Sequence, residues 1–496
     1  MPQNQKSLNQ IISYRLEKLE ELKKMGIDPY PHKYSPTHFS SEIIIDFSNL
    51  NKQDVDVAGR IMSIRKMGKA SFFDIQDSLG KIQIFVKRDE IGDKYYNHFN
   101  LLDIGDYVGV FGYVFKTKMD EISISAKKLT VLCKSIRPLP VVKEKDEQTF
   151  DAFIDKEQRY RNRHLDLIVN PSIKETFLKR AKIIQGLRKY LDDLSFLEVE
   201  TPVLQPIYGG ANARPFTTHH NALDQKFYLR IADELYLKRL VIGGIDRVYE
   251  IAKDFRNEGM DRNHNPEFTM LEFYWAYADY EDNLDLVEDM IRSIAKSIDA
   301  LEINWGEMKI DLSKSFKRKP IFDLLNEATG EDLQNIGIDE LKKICKANNI
   351  ETEKSANYGQ LLDSLMGNLV EPNLIQPTFV TDYPKEISPL AKKHRNNNPN
   401  LVERFELFIG GAEFANAFSE LNDPIDQRQR FNSQAKLAKE GDDEAHPVDE
   451  NFLQAVESGM PPTAGVGIGV DRLVMLLTEN ASIKDVILFP ALRNEE

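Results

Sequence analysis

The sequence predicts an α+β protein: a small N-terminal β-barrel, then a larger domain in which strands alternate with amphipathic helices. Three observations carry this. The 496 residues, 41% of them hydrophobic, exceed what a single core usually serves. Five short runs with strand alternation lie between Val55 and Val131. Beyond Pro138 and Pro140 the pattern changes to a long helical repeat followed by a long hairpin pattern.

Taken in order, Leu8, Ile12, Leu16, Leu19 and Leu22 recur at helical spacing, and Gly26 with Pro29 supplies the stop. Residues 1–50 read as this helix and its lead-in. The five runs that follow, near Val55–Ile64, Ser71–Gln76, Lys81–Val86, Tyr107–Val114 and Glu121–Val131, fit an OB-type barrel over residues 51–140. A polar, helix-compatible stretch separates the third run from the fourth. Strand parity puts Phe73 and Ile75 in the barrel core and turns Phe72 outward. On the next strand Ile82, Ile84 and Val86 point inward, leaving Gln83 and Phe85 outside. An outward ring beside an outward amide suits base stacking and base-edge hydrogen bonding. The surrounding charge agrees: Arg60, Arg65, Lys66, Lys69, Lys81, Lys87 and Arg88 face only Asp74 and Asp77, a local +5.

Residues 141–170 read as a linker, and 171–496 as the larger domain, with a helical interruption at 321–371. Ile173, Phe177, Ile184, Leu187, Leu191 and Leu194 mark an amphipathic helix, after which FLEVETPVL reads as a strand stopped by Pro202. Residues 247–280 read as two strands around a polar loop. On the second strand Phe268, Met270, Glu272 and Tyr274 share a face. Near the C-terminus Gly465, Gly467 and Gly469 leave one side of a strand without side chains, so a flat ligand can approach the backbone, and Arg472 follows at the head of an apolar helix.

Several classes are excluded. The net charge of −14 argues against indiscriminate coating of nucleic acid. No apolar run is long enough to span a bilayer and no targeting segment opens the chain, so a cytoplasmic protein is expected. Cys133 and Cys345 are too few for a disulfide framework or structural zinc and read as buried small hydrophobes. His219 and His220 lack a third metal ligand nearby and read as ordinary strand residues. Neither a P-loop nor a Rossmann fingerprint occurs, so a nucleotide needs another cradle.

That cradle is where a resemblance enters. FLEVETP, FRNEG with HNPEFTMLE, and GVGIGVDRLVMLL, in this order, resemble motifs 1, 2 and 3 of class II aminoacyl-tRNA synthetases. GGANARPFTTHHNALDQKFYLRIADELYLKRL, the continuation HNPEFTMLEFYWAYADY, and RPLPVV with RYRNRHLDL resemble the lysyl-tRNA synthetases, over roughly residues 8–493. The resemblance implies a class II catalytic domain on an antiparallel sheet flanked by helices, an OB-fold anticodon-binding domain, a homodimer formed through motif 1, and ATP-dependent charging of tRNA(Lys) with L-lysine.

Carried over residue by residue, the resemblance gives Arg256 the ATP α-phosphate and the lysine carboxylate, and assigns Glu258 and His264 elsewhere on ATP. Phe268 and Arg472 sandwich adenine, with Asn265 beside it. Glu406 and Glu413 hold Mg2+, an ion suited to carboxylate oxygens. Gly210 and Glu234 receive the α-amino group, with Asn416 and Phe418 nearby, while Glu420, Tyr274 and Glu272 surround the side-chain ammonium. Phe72 and Gln83 meet the anticodon, with Arg65 and Glu121 as neighbours. If the strand around Glu413 is regular, Glu413 faces away from Asn416, Phe418 and Glu420, so its metal role requires a bend, for which Gly410 and Gly411 are candidates. Ala412, Phe414, Ala415 and Ala417 depart from the family's usual arginine, isoleucine and two glycines, which implies an altered local pocket. Ser195 stands where a glycine is usual, and Asn263 where a basic residue is. Aspartyl and asparaginyl enzymes share the motifs, but Glu420 and Glu272 do not suit their substrates. Both motif arginines and both carboxylates argue against a silent tRNA-binding relative, and the barrel argues against a protein-lysylating one.

Overall fold

The computed structural model describes residues 7–68, 70–140, 143–145, 148–150, 153–352, 356–396, 398–439 and 447–494. Lys69, counted in the basic stretch above, and parts of the expected linker lie outside the described residues. The chain divides into two compact units, Met1–Phe153 and Ile154–Glu496.

The first unit holds α1 (Leu8–Lys24) and a closed five-stranded barrel: β1 (Asp54–Met67), β2 (Ala70–Gln76), β3 (Lys81–Lys87), β4 (Tyr107–Lys116) and β5 (Ile122–Cys133). Going round, the order is β1-β2-β3-β5-β4, with β3 and β5 parallel and the other pairs antiparallel. The polar stretch after β3 is a helix, α2 (Arg88–Asn100). Alternation is strict where it was expected: Phe73, Ile75, Ile82, Ile84 and Val86 are buried, while Phe72 and Gln83 stay half exposed. The local +5 is weaker than the sequence count. Asp89, Glu90 and Asp93 lie just beyond the counted window, and Lys87 pairs with Glu90 at 2.9 Å and Arg88 with Asp93 at 2.7 Å. Cys133 is half-buried and only Cys345 is fully buried.

The second unit is built on an eight-stranded sheet. In chain order its strands are β6 (Leu197–Glu198), β7 (Arg247–Phe255), β8 (Glu267–Ala276), β9 (Lys317–Pro320), β10 (Thr378–Thr381), β11 (Arg404–Ile409), β12 (Ala412–Ser419) and β13 (Thr463–Gly469). In space they run β9-β10-β11-β12-β13-β8-β7-β6. Pairing is antiparallel through the six central strands, and each edge adds one strand in parallel. One face carries the core. Leu271, Phe273, Phe405, Leu407, Ala415, Ala417, Val466 and Ile468 pack against α3 (Ser172–Asp193), α4 (Tyr280–Ser297) and α5 (Val470–Leu477). Burying that face leaves the opposite one for a ligand.

Two expectations change. FLEVETPVL does not form one strand. Leu197–Glu198 pairs with β7, after which Thr201 donates from N–H and Oγ1 to the Glu250 carboxylate, at 3.1 and 2.7 Å, instead of to a ladder. Pro202, lacking an N–H, cannot resume the pairing. The expected linker is helical and docked over Lys156–Val169. Arg163, fully buried, pairs with Asp166 at 2.6 Å and donates to the Leu488 carbonyl at 3.0 Å, which ties the segment down. The interruption at 321–371 is helical as expected, with helices Ile321–Thr329, Ile338–Ala347 and Tyr358–Leu365 around their own apolar cluster. Ser195 has φ +63°, a left-handed conformation that glycine adopts without strain.

Candidate adenylate and amino-acid site

The ligand face of the sheet is a trough. Across the strands, Phe418 on β12 pairs with Gly465 on β13 and Tyr274 on β8; one step along, Glu406, Asn416, Gly467 and Glu272 line up in the same way. Directly opposed residues share a face, so the parity read from the sequence places these side chains on one surface. The glycines are required there. A Cβ on Gly465 would collide with Glu420 Oε1 and the Tyr274 ring, and one on Gly467 would press Met270 at 3.3 Å. Gly210, at φ +91°, forms another bare spot, where a Cβ would stand 3.2 Å from the Glu234 Cβ.

Glu413 joins this face by a bulge. On β11 and β12, Leu407 pairs with Ala415 but Phe408 pairs with Glu413, so Phe414 is the extra residue. Phe414 and Ala415 both enter the helix-side core, and the parity of β12 reverses between them. The bend is therefore not at Gly410 and Gly411. Those two, at φ +60° and +76°, make the tight hairpin turn that such torsions favour. The same burial answers the expected change in pocket shape. Phe414, Ala415 and Ala417 sit behind the sheet, and Ala412 packs on the same core.

At one end of the trough the groups suit a nucleotide. The half-buried Arg256 lies with its guanidinium 5.0 Å from the centre of the Phe268 ring, and its Nε has no hydrogen-bond partner. Arg472 contacts the Glu413 carbonyl and lies 4.0 Å from its carboxylate. Glu406 accepts from Tyr383 at 2.8 Å and pairs with Arg404. Glu371, which the sequence did not single out, joins them: burial and the charges of Glu406, Asp363 and Glu413 push its carboxyl up to about 7. Burial and Glu406 likewise raise Glu413. Carboxylates that raise one another in this way form an all-oxygen set whose repulsion a hard divalent cation relieves. Glu258 and His264 are exposed on the hairpin loop, where the His264 ring sits 2.8 Å from Asp261. Asn265 is committed to structure, accepting from Ala491 N–H at 3.1 Å and donating to Glu267 O at 2.5 Å.

At the other end the groups suit ammonium. Glu234, Glu272, Tyr274 and Glu420 are all buried. Burial, then the charges of Asp254 and Glu234, pushes the Glu272 carboxyl up to about 8, and burial holds Glu420 well above the ordinary range. Tyr274 Oη donates to Glu272 at 3.1 Å. Asn416 links the two ends, accepting from Arg404 Nε at 3.1 Å. Behind Glu272 lie Asp233 and Asp254, with ligand-capable oxygens of all three within 4.8 Å. Arg230 already supplies the cation for that layer, 2.9 Å from Asp233 and 2.7 Å from Glu250. Lys238, also missed by the sequence reading, is fully buried against Glu234 and Glu420. His219 and His220 are exposed strand residues; His219 pairs with Asp224 at 3.2 Å.

On the barrel, Phe72 stacks obliquely on Phe85 with centroids 4.9 Å apart, and Phe85 meets Phe115 at 5.9 Å. Arg65 pairs across the strands with Phe72, and Gln83 lies beside Ser123, whose Oγ donates to it at 3.0 Å. Glu121 is exposed just ahead of β5. Of the four expected anticodon contacts, Arg65, Phe72 and Gln83 thus lie on the three adjacent strands β1, β2 and β3, and Glu121 lies just ahead of β5.

Comparison with known proteins agrees with both units. The model of class II tRNA synthetases (D, K and N) matches residues 155–493, and that of the OB-fold nucleic acid binding domain matches residues 55–132. A lysine-tRNA ligase of Porphyromonas gingivalis is 51% identical over 493 residues, covering 97% of this chain and 85% of the relative. Another, of Carboxydothermus hydrogenoformans, is 52% identical over 489 residues and covers 98% of each chain. By its motifs, its trough and the extent of these matches, the chain belongs to the lysine-tRNA ligase family of class II tRNA synthetases.

Proposed function

We infer that this protein activates L-lysine with ATP and transfers the lysyl group to tRNA(Lys), releasing pyrophosphate and then AMP. The observation that carries the reading is a single trough with carboxylates for ammonium at one end and arginines with an oxygen-ligand set at the other. The lysine carboxylate attacks the α-phosphorus of ATP and pyrophosphate leaves; the terminal ribose hydroxyl of the tRNA then displaces AMP from the lysyl-adenylate. Neither step needs a protein nucleophile.

Arg256 holds the α-phosphate and the lysine carboxylate together, and its attraction grows as charge develops on the phosphoryl oxygens. Phe268 and Arg472 clasp the adenine. Glu258 and His264 reach the triphosphate from the hairpin loop. Glu406 and Glu413, with Glu371 beside them, would hold Mg2+, which offsets triphosphate charge when bound. Glu234 beside Gly210 takes the α-amino group. Glu420, Glu272 and Tyr274 take the side-chain ammonium, whose lost hydration demands a buried anion. Phe72, Gln83, Arg65 and Glu121 read the anticodon.

Leu178, Leu197 and Leu204 remain exposed along α3 and the motif 1 segment, between 49% and 63%. That apolar strip supports an isologous homodimer, and a fully active monomer in sedimentation at micromolar concentration would dismiss it. No helix among the described residues is long and apolar enough to cross a membrane, and we place the reaction in the cytoplasm. Lysine-dependent exchange between ATP and pyrophosphate, followed by tRNA(Lys) charging, tests the whole reading. Exchange stimulated by another amino acid and not by lysine would refute it.

A further inference from the structure

Lys238 lies on the helix Glu234–Ile242 and is 1% exposed. Its Nζ touches Glu234 Oε1 and Glu420 Oε2 and lies 5.3 Å from the centre of the Phe418 ring and 6.0 Å from that of Tyr274. An ammonium of the protein thus bridges the carboxylates that, in the function proposed above, receive the two ammonium groups of lysine.

Two arrangements follow from general chemistry. Lys238 either occupies the place of the substrate ammonium and must leave, or it is a fixed support behind that place. The oxygens distinguish them. Each carboxylate gives one oxygen to Lys238 and turns the other to the trough. Glu234 Oε2 lies 3.8 Å from where a Cβ on Gly210 would be. Glu420 Oε1, the oxygen not paired with Lys238, lies over the bare backbone at Gly465. A ligand approaching over these glycines meets the free oxygens, while Lys238 stays behind them.

We propose that Lys238 is a positioning and specificity-determining residue: it clamps Glu234 and Glu420 at a fixed separation and leaves one oxygen of each for a diamino substrate. Charge supports the same conclusion. Glu234, Glu272 and Glu420 are the carboxylates at the ammonium end of the trough, and Lys238 offsets one of them. Lysine brings two ammonium groups to the remaining two carboxyls and thereby favours their ionised form, which burial opposes in the free protein, while Arg256 takes its carboxylate. Asp233, Asp254 and Glu250 stand in the layer behind, around Arg230. Burial alone would lower the Lys238 ammonium, but its two carboxylates outweigh that and raise it, so the clamp stays charged. Without it, Glu234 and Glu420 would face each other with no cation between them, and one would take up a proton and lose its hold on its ammonium.

The test uses the full-length protein and rests on the proposed lysine activation. Lys238→Met is compared with the wild type in pyrophosphate exchange with lysine, with its uncharged analogue norleucine, and with varied ATP. The expected result is a lysine KM raised by about tenfold or more, an ATP KM within about twofold, and a lysine-over-norleucine preference reduced by about the same factor as the KM. General damage to the fold would not single out the charged ligand. Lys238→Gln, which keeps a polar head, provides the same comparison if the methionine variant does not fold. An unchanged lysine KM overturns the proposal. A lowered one also overturns it, because Lys238 would then be competing with the substrate. A wild type that does not prefer lysine to norleucine removes the proposed function itself, whereas a selective wild type with equally selective variants removes only the role of Lys238.

Discussion

Glu420→Gln isolates the charge proposed to select lysine. The side chain is 1% exposed, its Oε2 meets Lys238, and its Oε1 is aimed at the trough without a partner. Glutamine keeps the volume and a carbonyl oxygen but leaves a buried substrate ammonium opposite a dipole. Losing one member of a buried, hydrogen-bonded charge pair costs about 2 to 5 kcal/mol. At 1.36 kcal/mol per decade that is roughly 30-fold to several thousand-fold in kcat/KM for lysine. The ATP end is separate, so the ATP KM should stay within about twofold. Lys238 keeps its pairing with Glu234, and a carboxyl held well above its ordinary range is removed, so the fold should melt no earlier than the wild type. Pyrophosphate exchange with each substrate varied in turn, alongside a melting curve, gives all three quantities. Unchanged kcat/KM for lysine in a folded variant would refute the assignment, and an equal rise in both KM values would show damage that is not specific to the ammonium.

Arg256→Ala should lower the exchange rate by at least about 100-fold, since its contact strengthens as phosphoryl charge develops; a folded variant with near-normal exchange would remove it from the site. Phe72→Ala should cost about 1 to 3 kcal/mol of tRNA binding with amino-acid activation intact. Because Phe72 is only half-buried on the barrel's outer face, its melting temperature should barely change, and a lower melting temperature with intact tRNA affinity would mark the ring as core. A pH effect follows from Glu272, whose carboxyl is pushed from 4.5 up to about 8 in the fold. The fold favours its protonated form, so this contribution to stability is fully present below 4.5 and is lost as pH rises through about 8. The ligand-free melting temperature should therefore fall from pH 6 to 8.5, less steeply in Glu272→Gln and less steeply with saturating lysine. Equal slopes in all three would disprove it.

The barrel was legible because each of its strands has a wet and a dry side, and alternation records that directly in positions such as Phe72 and Phe73 or Gln83 and Ile84. The trough was legible for the same reason. Its deeper parts were not. Lys238 in ELYLKRL reads as a solvated helix lysine, because the carboxylates that bury it come from Glu234 one turn earlier and Glu420 on a distant strand. Glu371 belongs to the helical interruption, whose pattern reports only its own apolar cluster. The attachment of Asn265 to Ala491 was not legible either, because its partner lies far along the chain. The docked segment at Lys156–Val169 looks like a linker because charged residues dominate it, although Arg163 and Asp166 neutralise one another inside the fold.

With Phe414 as an extra residue in β12, chain length and facing are locked together at that point. A shortened strand without it would keep Asn416 and Phe418 where they are but would turn Glu413 towards the helices, exchanging a carboxylate for a core position. Substitutions can therefore drift along this strand one side chain at a time, whereas insertions and deletions cannot. The half of the site proposed to handle lysine and the half proposed to handle phosphate are spaced by a count of residues, and the loss of one residue would uncouple them without altering a single functional group.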